Sequence, residues 1–185
     1  MAPAGSVDGR RLLLPADSAR TPLGDWQGTF DPVDGSASAL RYRFVVAAGA
    51  GRGATTDRAA TVELTPLLVV AGAAFDADAV ALARWRYVVE TDIDPAAADD
   101  FNAWYDEEHL PGLAAVGGVV RAARFAVGLV GGEPASPRYL AAYDLADRDA
   151  FDSPAWRAVR GTAWSNRVRP SFRGTVRTMF ARASV

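Results

Sequence analysis

The chain has a single histidine, His109, which follows Trp104 by five residues, Tyr105 by four and Glu108 by one. In a helix that spacing gathers the four side chains toward one face. An imidazole beside a phenol and a carboxylate, in an aromatic setting, suits proton transfer near neutral pH. His109 is then the candidate general base or acid and Tyr105 the donor to a developing oxyanion. Glu108 is the group that tunes the imidazole, and Trp104 a wall of the ligand site. Spacing alone also allows a plainer role, with His109 packed at the helix end, hydrogen-bonded to a carbonyl and favoured there by the helix dipole.

Arginines supply the other candidates. Arg121 shares strand parity with Ala123, Phe125, Val127 and Leu129, whereas Arg124 lies on the opposite face. One of them is expected to meet an anionic ligand group or to pair with Glu90 across a sheet. Trp164 could cover a cleft and Arg167 present its guanidinium to a carboxylate; the alternative is a packed crossover with Trp164 in the core and Arg167 solvated. Arg157, Arg160, Arg167, Arg169, Arg173, Arg177 and Arg182 make the C-terminal part basic. The expectation is that they pair within the chain with the acidic first helix.

Composition excludes more. There is no Cys and no Lys, so thiolate nucleophiles, Cys-ligated zinc, Schiff-base lysines and a P-loop are ruled out. A lone His rules out His-rich metal sites, and no GxSxG elbow is present. The net charge of −2 lacks the basic excess of nucleic-acid binders. Gly49-Ala50-Gly51-Arg52-Gly53 is not a dinucleotide fingerprint. Half of the residues are apolar, enough for a core, yet no stretch has the ~18 residues of a membrane-spanning helix. A soluble, cytoplasmic protein without metal or organic cofactor is the expectation.

The elements that must position these residues are clearest from Arg84 onward. Trp85, Tyr87, Val89, Thr91 and Ile93 alternate with Arg86, Val88, Glu90 and Asp92, a period-2 strand. Asp94-Pro95 is a helix start, with Asp as N-cap and Pro at the first position. Phe101, Trp104, Tyr105, Glu108 and His109 fall on one helical face, and Pro111-Gly112 is expected to end or kink that helix. Gly117-Gly118 turns into a strand over Val119–Val130, and a second strand follows over Arg138–Leu145. Helical segments over Asp147–Arg160 and Trp164–Phe172 lead to a last strand, Thr175–Arg182. The order β-α-β-β-α-β is the ferredoxin-like arrangement. Earlier, Leu40–Val46 and Thr61–Ala71 read as strands, the second placed at an edge or broken by Pro66. Arg41–Val46 matches Arg84–Val89 in residue type at every position, a hint of two related halves.

Trp104-Tyr105, then His109 and Pro111, a glycine turn, and Arg124-Phe125 resemble the EthD-like branch of the dimeric α+β barrel superfamily. Arg138–Leu145 is similar to that branch's third strand, and the resemblance covers about Arg84 to Arg182. Gly117-Gly118 departs from the Pro-Gly usual at that turn. The resemblance implies an α+β barrel whose relatives include small monooxygenases, muconolactone isomerase, polyketide cyclases and sugar mutarotases. It also implies that Tyr105 and His109 face a ligand cleft. Half-barrels of this superfamily pair to cover an open sheet face.

The combined expectation is an α+β fold. A ferredoxin-like barrel domain spans residues 84–185, and residues 1–83 form a β-rich extension or a degenerate first half. The functional reading is a cofactor-independent enzyme of bacterial-type small-molecule metabolism. It would act by proton transfer on a small apolar carbonyl compound, as an isomerase, cyclase or monooxygenase. Its catalytic residues would be His109, Tyr105 and Glu108, with Trp104, Arg124, Trp164 and Arg167 binding ligand. The competing reading is a non-catalytic binding or structural protein with a filled barrel. Neither reading involves nucleic acid or membrane, and a homodimer is expected, with Arg86 and Glu90 paired inside if the sheet face is shared between chains.

Overall fold

The computed structural model describes residues 9–14, 26, 28–33, 41–46, 61–76, 78–79, 83–130, 133–134 and 137–183. From Trp85 the order follows the sequence pattern. Strand β5 (Trp85–Ile93) leads into a helical layer, then β6 (Val119–Val127) and a small hairpin, β7 (Leu129–Val130) with β8 (Glu133–Pro134). Next come β9 (Tyr139–Leu145), a second helical layer and β10 (Phe172–Arg182). These strands lie in the order β10-β5-β9-β6, every neighbouring pair antiparallel. That is a ferredoxin-like α+β unit.

The first part contributes β1 (Gly9–Leu14), β2 (Gly28–Pro32), β3 (Arg41–Val46) and β4 (Thr61–Ala71), in the order β4-β1-β3-β2. Numbered within its own half, each set reads 4-1-3-2. The directions differ, because β1 runs parallel to both β3 and β4. Antiparallel seams β2–β10 and β4–β6 join the two sets into a closed barrel. At each seam the fourth strand of one half meets the second strand of the other. The matching hexapeptides do not occupy equivalent places: Arg41–Val46 is the third strand of its half, whereas Arg84–Val89 runs into the first strand of the other. Pro66 neither breaks β4 nor leaves it unpaired. The ladder to β6 shifts register between Pro66 and Leu68, and β1 pairs with Thr61–Glu63, so among the described residues no neighbour there needs the missing N–H.

Alternation along the strands divides the core in two. One face carries Tyr87, Val89, Ala122, Ala141, Tyr143 and Met179 toward the helices. The opposite face fills the barrel with Trp26, Phe30, Leu64, Val88, Phe125, Leu140 and Phe180. Inside it, the Arg86 guanidinium grips Asp144 through Nε and Nη2 at 2.6 and 2.9 Å, and Arg121 Nε reaches the same carboxylate at 2.8 Å. Asp144 stands directly across from Arg86 on β5 and from Arg121 on β6, so the cluster is one cross-strand row. Arg86 Nη1 also donates to the Trp26 carbonyl at 3.2 Å. Arg86 therefore pairs with Asp144; the pairing with Glu90 is the expectation for a sheet face shared between two chains. Its polar face is covered by the chain's own first part.

The helical layer starts as the sequence predicts: the Asp94 carboxylate caps Ala96 N–H at 3.1 Å and Pro95 opens a 3-10 turn. Helix α1 (Ala98–Trp104) passes into a π-helical turn, Tyr105–His109, and then into α2 (Leu110–Ala114). The helix thus runs through Pro111-Gly112 rather than ending there. Leu110 N–H bonds back to the Tyr105 carbonyl, five residues earlier. That widened turn accommodates Pro111, which has no N–H to give and whose ring would crowd the carbonyl four residues back. In the second layer, Ser153 caps α3 (Pro154–Arg160) and Thr162 caps α4 (Ala163–Val168). Gly118, at φ 87°, makes the turn into β6 that a residue with Cβ would resist.

Candidate functional site

The π-turn delivers Tyr105 and His109 into a recess between the helices and the helix-facing side of the sheet. Its walls are Tyr87, Val89 and Tyr143 from the strands, Trp104, Leu113 and Trp156 from the helices, and Phe172 at the start of β10. Arg160, Arg169 and Arg177 complete the lining. The cavity measures about 30 Å3, room for roughly two waters. It lies outside the barrel, so a filled barrel and an open recess at His109 coexist on opposite faces of one sheet.

His109 is 9% exposed and its Nδ1 is buried without a hydrogen-bond partner. Burial, reinforced by the Arg160 and Arg169 guanidiniums, brings its pKa down to about 3. The imidazole is therefore neutral at pH 7. Among the described residues the lining holds no carboxylate that would stabilise its cation. The Tyr105 ring stands at 90° to the imidazole, centroids 5.3 Å apart. Burial pushes the Tyr105 phenol up to about 12 and raises Tyr143 and Tyr87 too, so all three keep their protons. Tyr87 and Tyr143 are direct cross-strand partners, and Tyr143 Oη is buried without a well-aligned hydrogen bond.

Polar contacts fix the helix that carries the site. Trp104 Nε1 donates to Ser165 Oγ at 3.2 Å, and Ser165 Oγ donates to the Val159 carbonyl at 3.1 Å. Thr162 Oγ1 donates to Glu108 at 2.6 Å. Glu108 thus anchors the π-turn to the cap of α4, and its carboxylate is turned to Thr162 rather than to the imidazole.

The remaining sequence candidates lie apart from the recess. Arg124, on the helix-facing side as its parity requires, bonds to Asn102 and Asp106 and places its guanidinium 4.8 Å above the Tyr105 ring. It backs the site without lining it. Trp164 Nε1 donates to Asp100 at 2.8 Å and Arg167 binds the same carboxylate, an arrangement on the outer surface. Arg167 meets a carboxylate of its own chain, and neither residue lines the cavity. Sequence reasoning missed Tyr87, Tyr143, Trp156, Arg160, Arg169 and Arg177. Strand parity with Val89 and Ala141 could have found the two tyrosines; no local pattern marks the arginines. Among the described residues no group of three or more His, Asp or Glu is placed to hold a metal ion, and no helix is long and apolar enough to cross a membrane.

Neither a family profile nor a curated protein matches the chain. Among solved structures, it is similar to a candidate monooxygenase from Lactobacillus acidophilus NCFM, at 10% identity and a TM-score of 0.45. That likeness covers 64% of this chain and 50% of the other, so the chain spans half that protein's length. It is also similar to the dimeric chlorite dismutase of Nitrobacter winogradskyi, at 12% identity and a TM-score of 0.40, over 85% of this chain and 94% of the other.

Proposed function

We propose that the recess at His109 is the substrate site of an EthD-like, cofactor-independent enzyme that moves a proton on a small apolar carbonyl compound. Isomerisation, cyclisation and oxygenation of an electron-rich substrate all begin that way. The observation that carries this reading is the buried, unpartnered Nδ1 of the only histidine, in an aromatic cavity shared with protonated Tyr105. A carbonyl oxygen would accept from the Tyr105 hydroxyl while the neutral imidazole takes the proton from the adjacent carbon. With a pKa of about 3, His109 is by itself a weak base. Negative charge arriving with the substrate, or forming as the proton leaves, offsets the arginine field and makes the imidazole competent.

The test is deuterium wash-in from D2O, followed by proton NMR, over a panel of small ketones and β-diketones. Wild-type protein should accelerate exchange of at least one compound. His109→Gln should lose that rate by about 100-fold or more and Tyr105→Phe by about 10-fold. Exchange equal to buffer, or unchanged in His109→Gln, defeats the reading. The competing role, a binding or structural protein, draws on the barrel interior that Trp26, Phe30, Arg86 and Asp144 occupy. The same experiment separates the two. Association as a homodimer would use the outer surface, since the polar sheet face is covered within the chain.

A further inference from the structure

We propose that Arg160, Arg169 and Arg177 form an anion subsite at the His109 recess that takes the carboxylate of a small organic acid. They come from three elements, the end of α3, the 3-10 turn Arg169–Ser171 and β10, and all three line the same cavity. Six of the seven C-terminal arginines divide into two groups. Arg157, Arg167 and Arg173 reach Asp152, Asp100 and Asp94. Among the described residues, Arg160, Arg169 and Arg177 form no salt bridge; Arg160 acts only through space on the Asp152 carboxylate, which Arg157 holds.

Arg169 is held by neutral acceptors instead: the Ser165 carbonyl at 3.2 Å, Asn166 Oδ1 at 2.8 Å and the Arg160 carbonyl. Its orientation is fixed and its charge is not neutralised. Burial and the Arg160 and Arg177 guanidiniums push its pKa down, the mark of like charges held together. Among the described residues no Asp or Glu lines the recess. His109, nine-tenths buried with Nδ1 unpartnered, lines it as well. In a recess of this size, a cationic lining around Trp104, Trp156 and Phe172 fits an anion of only a few heavy atoms with an apolar end, which a short organic carboxylate has and inorganic phosphate lacks. Resting on the function proposed above, the substrate would be a carboxylate-bearing carbonyl compound.

The test is an NMR titration of the full chain at constant ionic strength, read on the His109 ring and the Trp104 and Trp156 indole N–H signals. The probes are acetate, acetamide and inorganic phosphate. Acetate should give saturable shifts and acetamide none. Arg160→Gln with Arg169→Gln should weaken acetate at least tenfold while near-UV circular dichroism is retained, and Arg157→Gln should leave affinity unchanged. Equal response to acetate and acetamide, tighter binding of phosphate than acetate, no saturable shift, or full affinity in the double variant each overturns the subsite. Binding is read without turnover. A protein that binds acetate but exchanges no deuterium keeps the subsite and loses the enzyme, and the converse result does the reverse.

Discussion

The His109 imidazole lies nearly flat on the Trp104 indole, ring centroids 4.0 Å apart and planes 23° from parallel. In a regular α-helix, residues five apart sit at opposite margins of one broad face, about 140° apart and out of contact. The π-turn removes that divergence, because five-residue closure brings position i+5 back over position i. The contact that shields the imidazole thus depends on the backbone irregularity next to Pro111.

Pro111→Ala should relax the turn toward regular α-helix. The Trp104 ring current displaces the His109 carbon-bound proton signals in the wild type. In the variant those signals should move toward free-histidine positions, and stability should not fall, since Ala is the better helix former. Displacement persisting in Pro111→Ala would show that packing alone sets the stack.

Burial makes His109 a source of acid sensitivity. The unfolded chain takes up its proton below about pH 6.5, while the folded chain resists until about 3. In that window the unfolded state binds more protons, so stability falls as pH falls, by up to about 1.4 kcal/mol per pH unit from this group. Urea unfolding between pH 4 and 7 should show the slope, and His109→Gln should flatten it.

Asp144 joins two buried guanidiniums in the barrel. Asp144→Asn should cost about 3–5 kcal/mol, because Arg86 and Arg121 lose their shared counter-charge and stay buried. The two arginines hold the carboxyl below the usual aspartate range. Its contribution is therefore complete above ordinary carboxylate pKa values and is lost as pH falls through the depressed one. Denaturant midpoints of the two proteins at pH 7 measure the cost.

Arg167→Gln should leave both the thermal midpoint and acetate affinity unchanged. Its pairing with Asp100 is solvent-exposed and outside the recess. A tenfold loss of acetate binding in this variant would relocate the anion site to the outer surface.

Much of the ferredoxin-like unit is legible because its signals are local. The alternation of Trp85 to Ile93, the Asp94-Pro95 start and the opposite parities of Arg121 and Arg124 each predict where a side chain ends up. The π-turn escapes, since the positions occupied by Trp104, Tyr105 and His109 read as ordinary helix until Pro111 is seen not to end it. Nor does sequence tell Arg157, which forms the salt bridge to Asp152 five residues away, from Arg160, which lines the recess. That difference arises only when α3, β10 and the π-turn are packed together. The barrel contents depend likewise on Trp26, which sits among Pro22, Gly24 and Gly28, residues that signal turns rather than core.

The seams β2–β10 and β4–β6 make barrel closure an intramolecular event. A barrel assembled from two separate chains loses stability on dilution by mass action, whereas closure within one chain has no such dependence. Covalent tethering also frees the halves from having to be alike. Among the described residues they are not: β1 runs parallel to both of its neighbours, whereas every pair in β10-β5-β9-β6 is antiparallel.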